Sequence, residues 1–281
     1  MSWLGHLKLD YRLDGQRTIA HDLHHGPLRV LQRLYPEGDQ VCHHVLVHPP
    51  GGIAGGDVLD IDVTMAPGSH ALISTPSATR FYRSAGELAQ QSLVAKVADG
   101  ARLEWLPLET IAYRGCRAEN RMRFELAPGA EMMGWDVLAL GLPAAGELFD
   151  DPAHANGEYT QSIELPGIWL ERGTLRANDH RLLDSPLGMA GHRVMASLWF
   201  ASGQALGSER RDALLDSARA LVDEHPLKPQ AGCTSPHAEV VVLRVLADRV
   251  EPAMQLLTSV WARWREVAWQ KAACPPRVWR T

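Results

Sequence analysis

A degenerate repeat of strand, short turn and strand constrains the fold of this chain more than any other feature. Three strand-like segments, residues 58–63, 92–97 and 121–126, each run into a turn of small residues. These turns are Ala66-Pro67-Gly68-Ser69, Ala98-Asp99-Gly100-Ala101 and Ala127-Pro128-Gly129-Ala130. Each turn is followed by another strand-like segment, so the unit predicts a mainly β fold.

The glycine of this turn recurs at roughly thirty-residue intervals, which is within the range of stacked repeats. Looser copies precede and follow the three clear units, and the recurring glycines are Gly38, Gly68, Gly100, Gly129 and Gly167. A repeat that cannot bury its apolar face alone buries it by stacking on its neighbours. The spacing therefore predicts a β-helix-like architecture whose units stack along an axis.

The last third of the chain changes to helical periodicity. Ser208 is placed to cap a helix that ends near Pro226. A second helix is predicted to start at Glu251-Pro252 and to end before Pro275-Pro276, with one apolar stripe that packs on the protein's own sheet or docks a partner helix. The stripe consists of Val250, Met254, Leu257, Trp261, Trp264 and Ala268. Residues 1–207 are thus expected to be mostly β, and residues 208–281 to hold two helices and closing segments.

Charge and composition exclude several classes of partner. The 281 residues carry a formal net charge of -5, which gives no electrostatic reason to expect nucleic acid or an anionic membrane. The first residues lack a basic leader with an apolar core, and no uncharged stretch is long enough to span a bilayer, so we expect a cytoplasmic protein. The four widely spaced cysteines are predicted to be free thiols.

The densest motif is a loop rich in glycine and proline, residues 48–57, which we call the Gly loop. It reads His48-Pro49-Pro50-Gly51-Gly52-Ile53-Ala54-Gly55-Gly56-Asp57. Prolines stiffen it, whereas the two Gly-Gly pairs permit positive φ and close approach by another group. Its glycine spacing matches a phosphate-binding loop, but Asp57 follows where Lys is required. Dinucleotide-binding, hydrolase-elbow and zincin motifs are absent, so we interpret the Gly loop as a shaped turn or bulge.

Two sets of residues offer metal-binding chemistry. On a regular strand, Cys42, His44 and His48 would point to one side and present a sulfur and two imidazoles to a borderline metal such as nickel. Surface or hydrogen-bonded histidines are the alternative. Inward-facing acids could instead form a hydrated path for a divalent cation, or be ordinary surface acids. The candidate acids are Asp57, Glu104, Glu109 and Asp136.

Two further hypotheses come from polar segments. Paired carboxylates on a stacked β fold would permit a carbohydrate-active enzyme, although nothing in the sequence sets their separation. The segment from Ser74 to Ser84 is either a polar strand and turn or a protein-contact surface. In the second case its anchors would be Phe81, Tyr82 and Arg83.

Motifs along nearly the whole chain resemble the urease accessory protein UreD family, also called UreH. The resemblance is carried by the Gly loop, by Ser77-Ala78-Thr79-Arg80-Phe81-Tyr82-Arg83-Ser84 and by Leu103-Glu104-Trp105-Leu106-Pro107-Leu108-Glu109-Thr110-Ile111. It continues through Gly134-Trp135-Asp136, Ser185-Pro186-Leu187-Gly188-Met189-Ala190-Gly191 and Cys274-Pro275-Pro276-Arg277-Val278-Trp279-Arg280-Thr281. Arg80 stands where the family commonly has Lys, and Cys42-His43-His44 is not a fixed family pattern.

The resemblance implies a single domain over residues 1–281 with a two-layer β stack and two α-helices. It also implies a non-enzymatic scaffold in urease maturation that binds UreF directly, reaches the GTPase UreG through UreF, and acts on urease apoprotein. Nickel would be a transient cargo, with no tightly bound cofactor, and would cross an internal water-filled tunnel. Asp57, Glu104, Glu109, Asp136 and His48 are the residues carried over as transient ligands on that path.

Two rival hypotheses remain at this stage. A free-standing metallochaperone would hold nickel tightly at Cys42, His44 and His48. A β-helical enzyme would turn over an oligosaccharide.

Overall fold

A computed structural model describes residues 2–280 of the chain as a mainly β structure with three α-helices. The strands are β1 Leu4–Asp14, β2 Arg17–His25, β3 Arg29–Leu34, β4 Val41–Val47, β5 Val58–Met65, β6 His70–Ser74, β7 Thr79–Phe81, β8 Ala89–Val97, β9 Arg102–Trp105, β10 Thr110–Ala112, β11 Arg117–Leu126, β12 Glu131–Leu142, β13 Glu147–Leu148, β14 Glu158–Leu165, β15 Trp169–Arg176, β16 Val194–Ser202, β17 Ala231–His237 and β18 Val240–Ala247. The helices are α1 His180–Asp184, α2 Ser208–Asp223 and α3 Val250–Trp269.

Two sheets form the β part. A seven-stranded sheet has the order β15-β14-β11-β8-β5-β1-β2, and an eleven-stranded sheet has the path β17-β18-β16-β12-β9-β6-β4-β3 with β7, β10 and β13 beside it. The central strands of both sheets pair in parallel, because the chain visits the two sheets in turn. One apolar core lies between the sheets, and a second lies between the eleven-stranded sheet and the helices. The predicted mainly β, stacked and β-helix-like architecture is confirmed.

The three clear repeat turns form the corners at which the chain passes from the seven-stranded to the eleven-stranded sheet. Successive corners are joined by backbone hydrogen bonds, from Gly68 N to Asp99 O at 3.2 Å and from Gly100 N to Gly129 O at 3.1 Å. Gly68 and Gly100 adopt φ of +72° and +68°, a region that favours glycine. The recurring glycine therefore marks a stacked coil corner, as the sequence predicts.

The looser copies of the turn have a different role. Gly38 lies in the hairpin between β3 and β4, and Gly167 lies in the hairpin between β14 and β15, and both strand pairs are antiparallel. Both glycines have positive φ. Tight antiparallel hairpins need the same conformational freedom as a coil corner, so the sequence signal does not distinguish the two.

The two predicted C-terminal helices are present and cover the outer face of the eleven-stranded sheet. Leu257, Trp261 and Trp264 of the predicted stripe are fully buried, so the stripe packs on the protein's own core. The predicted cap at Ser208 is wrong: Gly207 is the N-cap residue of α2 and makes no side-chain capping bond. Between the helices, β17 and β18 extend the sheet. None of the helices described within residues 2–280 is long and apolar enough to cross a membrane.

The Gly loop has the shape that its glycines predict. Gly51 and Gly56 have φ of +79° and +88°. A Cβ on Gly52 would lie 2.2 Å from the Tyr82 ring. A Cβ on Gly55 would lie 2.6 Å from the Ser84 hydroxyl. Segment 82–84 is therefore the group that approaches the loop, and the predicted surface anchor Phe81 is instead fully buried.

The contact between Gly52 and Tyr82 is testable by adding one methyl group. We expect Gly52→Ala to lower the free energy of unfolding by about 1–3 kcal/mol, because the Tyr82 ring must move out of a packed position. Gly173→Ala is the control, since a Cβ there meets nothing within 4 Å and the backbone needs no positive φ. Urea unfolding measures both variants, and equal stability of the two would contradict the proposed contact.

Candidate metal path between the sheets

Three amide side chains form a row on the inner face of the seven-stranded sheet. The parallel register places Gln91 of β8 beside Asn120 of β11, and Asn120 beside Gln161 of β14. Gln91 Nε2 donates to Asn120 Oδ1 at 3.3 Å. Their neighbours at alternate positions, such as Leu93 and Met122, belong to the core between the sheets, so the amides face that core as well.

The eleven-stranded sheet presents a matching polar row. Its register aligns Asp136 of β12, Ser197 of β16 and Arg244 of β18. Gln161 Nε2 donates to Asp136 Oδ2 at 2.5 Å across the gap between the sheets. Glu171 of β15 accepts from Ser197 Oγ at 3.4 Å and from Arg244 Nε at 3.1 Å. We call these seven residues the polar layer, since they run through a mainly apolar core.

Asp136 is the acid most deeply enclosed in the polar layer. It is 4% exposed. Burial raises the pKa of Asp136 to about 7, and the nearby charge of Glu171 acts in the same direction. A carboxyl group with this pKa exchanges its proton near neutral pH, so it can accept a cation when it releases the proton.

The two ends of the polar layer meet two cavities. Gln91 lines a cavity of about 280 Å³ that is bounded by the Gly loop. Gln161, Glu171 and Arg244 line a second cavity of about 550 Å³ at the edge formed by β15, β17 and β18. A row of polar side chains therefore lies between residues that line two separate cavities.

Asp57 has a different local role. Its Oδ1 accepts from Trp3 N at 2.7 Å, and its Oδ2 accepts from Ala54 N at 2.9 Å. The carboxylate therefore fastens the N-terminal strand to the Gly loop. His48 is half-buried beside the first cavity, and burial lowers its pKa against the opposing effect of the Asp57 charge.

Glu104 lies on the other face of the eleven-stranded sheet. It is fully buried, with Oε1 2.7 Å from His70 Nε2, while Oε2 accepts from Trp261 Nε1 at 2.6 Å. Arg265 Nε of α3 lies 3.5 Å from the same Oε2. Burial acts to raise the pKa of Glu104, but His70 and Arg265 outweigh it and the pKa is lowered. Glu104 thus anchors α3 and does not share the space of Asp136.

The ion-pair network around Glu104 continues to the turn before β4. Arg265 Nη2 donates to Glu37 Oε2 at 2.6 Å, and Glu37 Oε1 lies 2.7 Å from His43 Nε2. Burial opposes ionisation of Glu37, yet His43 and Arg265 lower its pKa to about 2. Arg265 and Glu37 are 228 positions apart, so no local sequence pattern predicts their contact.

The remaining predicted ligands are also separate. Glu109 is half-buried in the connection between β9 and β10. Cys42 and His44 share one face of β4 as predicted, but His48 lies beyond the strand. Burial raises the pKa of Cys42 to about 11 and lowers that of His44 to about 4, and His44 Nδ1 lies 2.7 Å from the Tyr11 hydroxyl. Across residues 2–280, no group of three or more His, Cys, Asp or Glu side chains is placed to hold a metal ion.

Sequence reasoning missed most of the polar layer. Only Asp136 was among the predicted ligands. A signal existed in the repeat, because Gln91 and Asn120 occupy equivalent positions directly before the segments 92–97 and 121–126. Glu171 and Arg244 carry no such signal, since each belongs to an antiparallel strand outside the repeat.

The raised pKa of Asp136 predicts a pH-dependent stability difference. Between its ordinary pKa of about 3.9 and about 7, the folded protein binds the proton more tightly than the unfolded chain does, so Asp136 makes stability fall as pH rises through that window. Asp136→Asn removes the charge. We expect the variant to gain stability over the wild type with rising pH, by up to about 4 kcal/mol at pH 8.

Urea unfolding at pH 4.5 and pH 8 measures this difference. Asp216→Asn is the control, because that carboxylate is 77% exposed on α2. If the difference in free energy of unfolding between Asp136→Asn and the wild type were the same at both pH values, that result would contradict the raised pKa of Asp136.

The buried pair of Glu104 and Arg265 predicts a different outcome. Glu104→Gln leaves Arg265 and His70 without their shared carboxylate, so the free energy of unfolding should fall by about 3 kcal/mol. The half-buried Glu109→Gln is the control and should change it by less than about 0.5 kcal/mol. Unfolding at pH 7.5 measures both, and a loss under about 1 kcal/mol for Glu104→Gln would refute the anchoring role.

Comparisons with known proteins identify the family to which this chain belongs. The family model described as UreD urease accessory protein matches residues 4–280. The urease accessory protein UreD of Leptothrix cholodnii is 63% identical over 283 residues, with all of both chains covered. Those of Variovorax paradoxus and Paracidovorax citrulli are 61% identical over 281 residues and 58% identical over 279 residues, covering 100% and 99% of both chains. The chain belongs to the UreD family of urease accessory proteins.

Proposed function

We propose that this protein is a non-enzymatic scaffold in urease maturation and that it passes Ni²⁺ through the polar layer to urease apoprotein. UreF binds it directly in this proposal, and the GTPase UreG reaches it through UreF, in the cytoplasm. Family membership supports the role in urease maturation. The single observation that supports the conduit is the enclosed Asp136, which lies in a polar row with a cavity at each end.

The donor atoms of the polar layer suit transit of the ion. Gln91, Asn120 and Gln161 offer amide oxygens after a side-chain rotation, Ser197 offers a hydroxyl, and Asp136 offers a carboxylate. Ni²⁺ binds oxygen ligands but prefers imidazole and sulfur, so such a set holds it loosely. A conduit must bind weakly enough to release the ion at each step.

Proton exchange at Asp136 would allow the carboxyl group to be neutral when no ion is present and negatively charged when Ni²⁺ arrives. The neutral acid spares the resting interior a buried charge, and loss of the proton supplies a carboxylate when the cation arrives. Arg244 keeps Glu171 paired in the meantime, which limits the negative charge exposed to the ion at the second cavity.

The other predicted ligands take supporting roles in this proposal. Asp57 fastens the Gly loop, and Glu104 anchors α3, since protein donors already occupy both oxygens of each carboxylate. His48 is placed at the first cavity, and Glu109 lies in the neighbouring connection. Nothing in the geometry favours a tight site at Cys42 and His44, because Cys42 holds its proton strongly.

The test separates scaffold from conduit. Asp136→Asn is co-expressed with UreF, UreG and urease apoprotein. We expect the complex to co-purify at wild-type yield while nickel incorporation and urease activation fall about tenfold or more, because the variant cannot supply a carboxylate on the path. Asp62→Asn, on the outer face of the seven-stranded sheet and 51% exposed, is the matched control and should activate urease normally.

Two results would count against the proposal. Normal nickel incorporation with Asp136→Asn would reject the conduit through Asp136. Failure of the wild-type chain to co-purify with UreF would reject the scaffold role.

A further inference from the structure

The cavity beside the Gly loop has an unusual set of lining groups. It is bounded by the Gly loop on one side and by residues 75–80 on the other, so the two most distinctive sequence motifs converge on it. Arg80 supplies a cationic side chain there. No Asp or Glu of the described residues lines the cavity. Arg80 therefore has no carboxylate among the lining residues to pair with, whereas the second cavity holds Glu171 together with Arg172 and Arg244.

Two buried donors at this cavity lack an acceptor. Trp105 is 3% exposed, and its Nε1 has no hydrogen-bond partner anywhere in residues 2–280. Arg80 is half-buried, but its Nε is buried and also lacks a partner in that range. An unsatisfied buried donor costs about 1–3 kcal/mol. Both donors belong to residues that line this cavity, which suggests that an acceptor bound there would satisfy them.

The other residues that line the cavity indicate what else the ligand should contain. Leu28, Leu46, Leu59 and Ile61 give the cavity an apolar floor. Thr75 Oγ1 accepts from Leu108 N at 2.9 Å, so its own proton is free to be donated. A volume of about 280 Å³ admits a group larger than one water molecule.

We propose that this cavity binds a carboxylate carried on a short apolar body. The carboxylate accepts hydrogen bonds from the Arg80 guanidinium and the Trp105 indole, and the apolar body of the ligand packs on the apolar floor. Water could satisfy the donors, but it would leave the arginine charge without a counter-ion in a partly apolar site. Two sources have this chemistry, a small organic acid and an acidic side chain of a bound protein. The inference does not depend on nickel passage.

Indole resonances provide a direct test. The chain contains nine tryptophans, and the indole N–H signal of Trp105 is identified in a ¹⁵N-correlated spectrum of the full-length protein by its loss in Trp105→Phe. Butyrate is the probe. We expect it to move the Trp105 signal in a saturable manner, whereas n-butanol, a neutral alcohol with the same number of carbon atoms, should not.

Variants of Arg80 and Arg83 distinguish binding in the cavity from a general effect of anions on the protein. Arg80→Gln should weaken butyrate binding about tenfold, which is the loss expected for one charge-assisted hydrogen bond. Arg83→Gln, an exposed neighbour three positions along the chain, is the matched control and should bind as the wild type does. Circular dichroism checks that each variant is folded.

The same signal distinguishes the two sources. If it reaches the butyrate-bound position on complex formation with a co-purifying partner and no added acid, the carboxylate comes from that protein. If it moves only when butyrate is added, the ligand is a free acid. No movement with butyrate, equal movement with n-butanol, tighter binding of inorganic phosphate than of butyrate, or unchanged affinity in Arg80→Gln would each overturn the proposal.

Discussion

Parallel pairing in strict register is the constraint on which the rest of the structure depends. Each central strand places its side chains beside the equivalent side chains of the next coil, so one amide position becomes a row across the three adjacent strands β8, β11 and β14. The corner glycines maintain that register, because their backbone bonds join one corner to the next. A single polar position on each of these three strands thereby contributes to the polar layer, while the alternate positions of the same strands remain in the apolar core.

The same sheet keeps two buried acids in separate environments. Side chains alternate along a strand, so Glu104 and Asp136 face opposite sides of the eleven-stranded sheet. Glu104 is surrounded by His70, Trp261 and Arg265 and remains ionised, which suits a structural anchor. Asp136 has an amide donor and, among residues 2–280, no cation in hydrogen-bonding contact, so burial raises its pKa towards neutrality. Both acids are buried, so the opposite shifts of their pKa values come from the different partners of the two carboxyl groups.

Periodic features were predictable from the sequence, and long-range polar contacts were not. The coil corners at Gly68, Gly100 and Gly129 and the stripe of α3 follow from local spacing. The side of the sheet on which each acidic side chain lies depends on strand register. Sequence spacing alone does not fix that register to within one residue, and a shift of one residue moves the side chain to the other side. Glu37 and Arg265 meet only because α3 folds back over the turn before β4. The glycines and prolines of the Gly loop predict a shaped turn. The sequence does not show that the Trp105 indole N–H lacks an acceptor, because that depends on the packing around it.

Locating the ion is the most direct test of the proposed passage of Ni²⁺ between the sheets. Crystals of the protein in complex with its urease partners, soaked with Ni²⁺, are measured on both sides of the nickel absorption edge. We expect an anomalous difference peak in the polar layer, within coordination distance of Asp136 and absent from Asp136→Asn crystals. Peaks confined to surface histidines such as His24 and His25, with none between the sheets, would contradict it.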